Sequence, residues 1–119
     1  MTSRSAHHTG LAAEEAVLAL YRAEGAWPLA VRWRCLEGEI DLILRVGPTI
    51  VFVEVKARRA HAAAAEAISP AQWRRLHAAA SRFLAEAGDP NAICRFDVAL
   101  VDRAGGIERL ENAASFDEW

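Results

Sequence analysis

The sequence predicts an α/β or α+β domain with a mixed sheet, its elements in the order α-β-β-β-α-β-β. Three observations carry that expectation. A helical apolar periodicity opens the chain, two β-rich runs flank the turn signal Gly47-Pro48, and Ser69-Pro70-Ala71-Gln72 announces a second helix.

Residues 1–9 read as a flexible N-terminal tail, and 10–119 as a single domain. Leu11, Val17, Leu18 and Tyr21 share one side of a helix ending near Glu24, with Gly25 as its stop. Leu29, Val31, Trp33 and Cys35 then alternate as in a strand. Residues 39–46 and 49–56 form a hairpin about Gly47-Pro48. The Ala-rich stretch 57–68 is a mobile connection or a weak helix. The helix opened by Ser69 runs to about Ala87 and buries Trp73, Leu76, Ala80, Phe83 and Leu84, with Gly88 as its cap and Pro90 beyond. A strand over 93–101, a turn at Asp102 to Gly106 and a short strand from Ile107 to Leu110 complete the order. There are no internal repeats.

Composition narrows the function classes. At 119 residues, 53% hydrophobic and 25% charged, the chain has the profile of one soluble domain with a single modest core, much of the apolar share being alanine. No apolar run approaches a membrane span, the start is no signal peptide, and the cytoplasm is the expected compartment. Cys35 and Cys94 lack metal-ligand spacing and read as reduced, packed thiols. A net charge of −2 offers no global basic excess, so nucleic-acid binding needs a local patch. The candidates are Arg32 with Arg34, then Lys56 with Arg58 and Arg59, then Arg74 with Arg75; any one of these taken alone reads more readily as a solvated face.

The hairpin carries the chemistry. With the turn centred on Gly47-Pro48, one face opposes Ile40 to Val55, Leu42 to Val53, Leu44 to Val51 and Val46 to Thr49, and must pack on the core. The other opposes Glu39 to Lys56, Asp41 to Glu54, Ile43 to Phe52 and Arg45 to Ile50. Opposed carboxylates repel, and a folding-only sequence has no reason to place them so. A Mg²⁺ ion between Asp41 and Glu54 reverses the sign, taking a carboxylate from each strand and keeping several waters. Lys56 lies on the same face as Glu54, where its ammonium can hold or polarise water near a scissile phosphate. The plainer reading makes Glu39 and Lys56 a cross-strand ion pair and leaves Asp41 solvated at a sheet edge. Glu14 weighs against it. It sits mid-stripe on the first helix, one turn from Leu11 and from Leu18, where a carboxylate is costly unless paired or metal-bound. Asp97 is a further inward candidate, or a partner of Arg95 or Arg34.

These residues in this order resemble the PD-(D/E)xK, restriction-endonuclease-like nuclease superfamily. More closely, the chain is similar to the small bacterial YraN family, itself akin to archaeal Holliday-junction resolvases. The resemblance rests on Gly10 to Glu14, Gly25, Trp33 to Cys35, Gly38 to Ile43, Val51 to Arg58, Ala67 to Ser69 and Arg95 to Val98, and so spans most of the chain from Gly10 to about Asp102. It implies an αβββαβ core with a mixed central sheet flanked by helices, and a Mg²⁺- or Mn²⁺-dependent endonuclease acting on DNA, including branched or repair and recombination intermediates. Asp41, Glu54 and the main-chain carbonyl of Val55 become metal ligands, Lys56 the catalytic lysine and Glu14 the helix-borne acidic residue of the site. Arg34, Arg58 and Arg59 are the expected DNA contacts. A homodimer follows by analogy with resolvases, whose junction substrates offer two symmetric strands, and a DNA-repair or recombination protein is a further expected partner. The chain departs from the pattern at Ile40, where the superfamily name has proline, at Arg32 for a usual asparagine, and at Gln72 for a usual lysine. The stretch 57–68 also lacks the usual glycine. The competing class is a non-catalytic nuclease fold that binds DNA or docks a DNA-processing partner; the acidic balance and Gln72 favour it, the intact Glu14, Asp41, Glu54 and Lys56 oppose it.

Overall fold

A computed structural model of the chain describes residues 2–57 and 68–114, with side chains described from residue 10 onward. The elements are α1 (Thr2–Ala23), β1 (Trp27–Cys35), β2 (Gly38–Val46), β3 (Thr49–Ala57), α2 (Pro70–Glu86), β4 (Cys94–Val101) and β5 (Ile107–Ala114). They follow the expected order. The strands form one five-stranded sheet in sequence order. β1, β2 and β3 make an antiparallel meander, β4 lies parallel to β3, and β5 returns antiparallel to β4. A parallel pair needs a long crossover, and α2 lies in the connection that supplies it. This is a mixed α/β fold with the restriction-endonuclease-like αβββαβ core.

The hairpin turn forms where the sequence puts it. Val46 pairs with Thr49, and Gly47 takes φ +59 ahead of a proline whose ring fixes a negative φ, the sign pattern of a type II′ turn. Ser69 caps α2, its hydroxyl accepting the Gln72 N–H at 3.1 Å, and Pro70 occupies the first turn, where a missing N–H costs nothing. α2 ends as expected: Gly88 turns left-handed at φ +78, and Asp89 N–H reaches back to the Leu84 carbonyl.

The central strands of the sheet are buried on both faces, while the edge strands β1 and β5 stay largely exposed. Under α1, Leu42, Leu44, Val51 and Val53 pack against Ala13, Val17 and Tyr21. Under α2, Ile43, Ile50, Phe52, Phe96 and Val98 pack against Trp73, Leu76, Ala80 and Leu84, with Phe83 partly buried beside them. Burying both faces leaves β3 no solvent side, so a carboxylate on it must find a partner within the protein.

Two boundaries and one facing differ from expectation. α1 begins at Thr2, ahead of Leu11, because the polar start carries no apolar stripe to announce a helix. β5 runs on to Ala114: between Phe96 and Val98 its register with β4 shifts, and Asn112 sits at φ +55 with its N–H donated to Asp97, an irregularity that hides the strand's alternation. Ile40, expected on the face of Leu42, packs in the α2-side core with Ile43. Residues 58–67, read as a mobile connection or weak helix, lie outside the described residues, and Arg58 and Arg59 with them.

Candidate active site

The site begins where two strands part. β2 pairs with β3 from Val46↔Thr49 to Leu42↔Val53, the register expected from the turn. Nearer its start β2 pairs with β1, through Trp33↔Ile40 and Arg34↔Glu39. The expected ladder pairs Asp41–Glu54, Ile40–Val55 and Glu39–Lys56 are therefore absent, for a physical reason. The Asp41 carboxylate accepts the Val55 N–H at 2.8 Å, so a side chain takes the ladder bond that a β2 carbonyl would have made. The strands fork around that carboxylate, and β3 pairs on its other edge with β4, Glu54 beside Val98.

Asp41 and Glu54 still meet, as side chains across the fork. Glu54 is 7% exposed. Its Oε2 accepts the Gln72 side-chain N–H at 2.6 Å and lies 3.4 Å from the Lys56 ammonium, while its buried Oε1 has no hydrogen-bond partner among the described residues. Burial first, then the hydrogen bond and charge of Asp41, push the Glu54 carboxyl up to about 9, against the opposing pull of Lys56. Two carboxyls brought together in a buried fork disfavour each other's charge, and a cation between them would relieve that cost.

Glu14 joins them from α1. It is 8% exposed, and its carboxyl is raised above the ordinary range by burial, then by Asp41 and Glu39, with Arg32 opposing. Glu14 Oε1 and Arg32 Nε stand 3.4 Å apart without forming a hydrogen bond, although both atoms are buried. Arg32, at φ +54, also approaches Glu39 at 3.9 Å. That left-handed backbone is one that asparagine adopts more readily than arginine, so the position carries strain of its own.

The fork thus gathers Glu14, Asp41, Glu54 and Lys56. Val55 sits between the last two with its N–H given to Asp41. Arg34, its side chain 74% exposed, points its guanidinium at Glu39, 2.5 Å away, which removes the partner that the plainer reading assigned to Lys56. Asp97 is fully buried and saturated: Tyr21 Oη–H donates at 2.6 Å, Arg95 at 3.0 Å and Asn112 N–H at 3.0 Å. It is a structural node, as its proximity in sequence to Arg95 allows. Sequence reasoning missed Gln72 as a contact of Glu54. The signal was there in its place three residues after the Ser69 cap, which fixes the helix phase, but not in its chemistry.

The fork opens into a cleft of about 270 Å³ lined by Gly38, Glu39, Asp41, Glu54, Gln72 and Arg75. Among the described residues no group of three or more His, Cys, Asp or Glu side chains is placed to hold a metal ion. A cation held by Asp41 and by the unpartnered Oε1 of Glu54 would fill its remaining positions from main-chain oxygen and water. That is the habit of Mg²⁺, a hard ion that keeps several waters beside one or two carboxylates, so the donors present fit it.

Known proteins match the sequence over most of its length. The model of "Uncharacterised protein family UPF0102" matches residues 13–101, a span holding Glu14, Asp41, Glu54, Lys56 and Gln72. A UPF0102 protein of Cereibacter sphaeroides (strain KD131) is 48% identical over 116 residues, covering 95% of this chain and 97% of the relative. One from Ruegeria pomeroyi is 52% identical over 108 residues, covering 90% and 88%, and one from Azorhizobium caulinodans is 46% identical over 112 residues, covering 92% and 85%.

Proposed function

We propose that this chain, which belongs to the UPF0102 (YraN) family, is a divalent-metal-dependent endonuclease that hydrolyses DNA phosphodiesters. The observation that carries the reading is the fork: Asp41 and Glu54 brought together by a side-chain bond that interrupts the ladder, with one buried Glu54 oxygen left unpartnered. A folding-only chain gains nothing from that arrangement. A Mg²⁺ or Mn²⁺ ion bound by Asp41, Glu54 and the Val55 carbonyl would supply charge stabilisation at the phosphoryl oxygens during attack.

The remaining chemistry belongs to the chain. Lys56, held 3.4 Å from Glu54, presents an ammonium at the mouth of the fork that orients a water and offsets the charge growing on the phosphate. Glu14 on α1 stands close enough to Asp41 for the two carboxyls to repel, which favours a cation between them, with Arg32, 3.4 Å from Glu14, opposing that field. Arg75 on the cleft wall gives the substrate strand a positive contact. Branched DNA is the substrate form we favour, as for the resolvases the family resembles.

The non-catalytic reading keeps two observations on its side: the net charge is −2, and Arg34 is already engaged by Glu39. One experiment separates the two. Purified protein is incubated with linear, flapped, single-stranded and four-way DNA in Mg²⁺, Mn²⁺ or EDTA. Metal-dependent cutting is expected in the parent, strongest on the four-way substrate, and absent from Asp41→Asn. Lys56→Ala is expected to bind Mn²⁺ like the parent yet to lose cleavage by at least a hundredfold, the scale of losing one charge-stabilising donor (~10²–10³). Folded parent protein that binds these DNAs and cuts none of them would establish the binding module instead.

A further inference from the structure

We propose that Gln72 is a positioning residue that divides the two oxygens of Glu54, tying one to the protein and leaving the other for an incoming divalent cation; this deepens the metal-site reading above and rests on it. The Gln72 side-chain N–H donates to Oε2 at 2.6 Å, on the same oxygen that Lys56 approaches at 3.4 Å. Oε1, buried and without a partner among the described residues, is left to face a ligand. A free carboxylate rotates about its last bond; one held at a single oxygen by a neutral amide is oriented in advance.

The backbone makes the aim of Gln72 dependable. Its N–H is bonded to the Ser69 hydroxyl at 3.1 Å and Trp73 N–H to the Ser69 carbonyl at 2.9 Å, so the first turn of α2 is fixed in phase. Trp73 and Leu76 seat that turn in the core, and the half-buried Gln72 side chain reaches the cleft from it.

The neutrality of the amide has a consequence. A lysine at this position would bring a second ammonium to a carboxylate that Lys56 already approaches. It would satisfy the negative charge itself and compete with a cation. An amide orients Glu54 while leaving its charge for the metal. This chain is therefore expected to hold a divalent ion more tightly than its own Gln72→Lys variant.

The test is Mn²⁺ binding by calorimetry on the full chain, with thermal melts in EDTA alongside. Gln72→Met keeps the length and the helix propensity but has no N–H to donate. It is expected to melt near the parent in EDTA and to bind Mn²⁺ about 10–100-fold more weakly, the usual cost of losing a group that orients a ligand. Gln72→Lys is expected to lose at least as much. Raising Mn²⁺ by the same factor should restore cleavage to Gln72→Met and not to Asp41→Asn. If α2 is merely tied to the sheet by this bond, Gln72→Met will melt earlier in EDTA with unchanged Mn²⁺ affinity, and the proposal fails while the metal site stands. Should Gln72→Met not fold, parent-like affinity in Gln72→Lys overturns it equally. A parent that binds no Mn²⁺ overturns both the proposal and the reading beneath it.

Discussion

At Glu54 the folded chain holds a proton more firmly than the unfolded chain, because burial and Asp41 both disfavour the charge. The ordinary value is 4.5 and the folded one about 9. Below pH 4.5 both states are protonated and the group costs nothing. As pH rises through the interval the unfolded chain ionises first, so metal-free stability is lost progressively up to the folded value. The protein in EDTA is thus expected to be less stable at pH 8 than at pH 5, and Glu54→Gln to flatten that slope and gain on the order of 1 kcal/mol at pH 8. Urea titrations at the two pH values measure it, and a variant retaining the parent's slope would assign the effect elsewhere. The window avoids Glu37, whose carboxyl Arg82 holds down at about 2. These single residues were legible in the sequence by their cost. Glu14 on an apolar stripe and Asp41 facing a second acid are expensive choices, and expense is visible without coordinates. Asp97 shows the limit of that logic, being as buried as any of them, yet satisfied by Tyr21, Arg95 and a backbone N–H from a different strand. Long-range partners of this kind leave no local pattern.

Turns and caps made most elements readable. Gly47-Pro48 set the register of β2 on β3 as far as Leu42↔Val53, since a two-residue loop permits few alternatives. The fork beyond it was not readable, because alternation assumes that backbone pairs with backbone, whereas here the Asp41 side chain takes the Val55 N–H. The extension of β5 to Ala114 escaped for a related reason, the left-handed Asn112 breaking the two-residue period. Ser69 links both kinds of information, being an evident cap that also sets where Gln72 points. Ser69→Ala is expected to cost about 1 kcal/mol of stability, the usual value of an N-cap. It is also expected to weaken Mn²⁺ binding without touching a ligand, since the first turn of α2 frays. Chemical denaturation and calorimetry on the same variant check the pair of effects. A stability loss with unchanged metal affinity would show that the rest of α2 holds Gln72 in place unaided.

Charge is the property that only the whole molecule reveals. The net value of −2 suggests a poor partner for DNA, but the pairing of charges decides what a phosphate meets. Arg109 is bound to Glu24, Arg82 to Glu37, Arg95 to Asp97 and Arg34 to Glu39. Arg74 and Arg75, exposed on α2, make no ion pair among the described residues, and Arg75 lines the cleft where Asp41 and Glu54 meet. The arginines named first lend little to an incoming strand, because each would have to leave a carboxylate behind. Among the described residues Arg74 and Arg75 have no carboxylate to leave. Duplex binding is therefore expected to be weak, with a salt slope that falls by roughly 0.9 for each phosphate contact removed. The Arg74→Ala, Arg75→Ala double variant should lose about two such steps, whereas Arg34→Ala should lose less than one, because Glu39 already neutralises that guanidinium. Fluorescence anisotropy over a range of salt measures all three slopes on one Asp41→Asn background, in which no cutting is expected. An unchanged slope in the double variant, with a loss on replacing Arg58 and Arg59, would put the strand along the connection after β3, entering the fork past Lys56 rather than along α2.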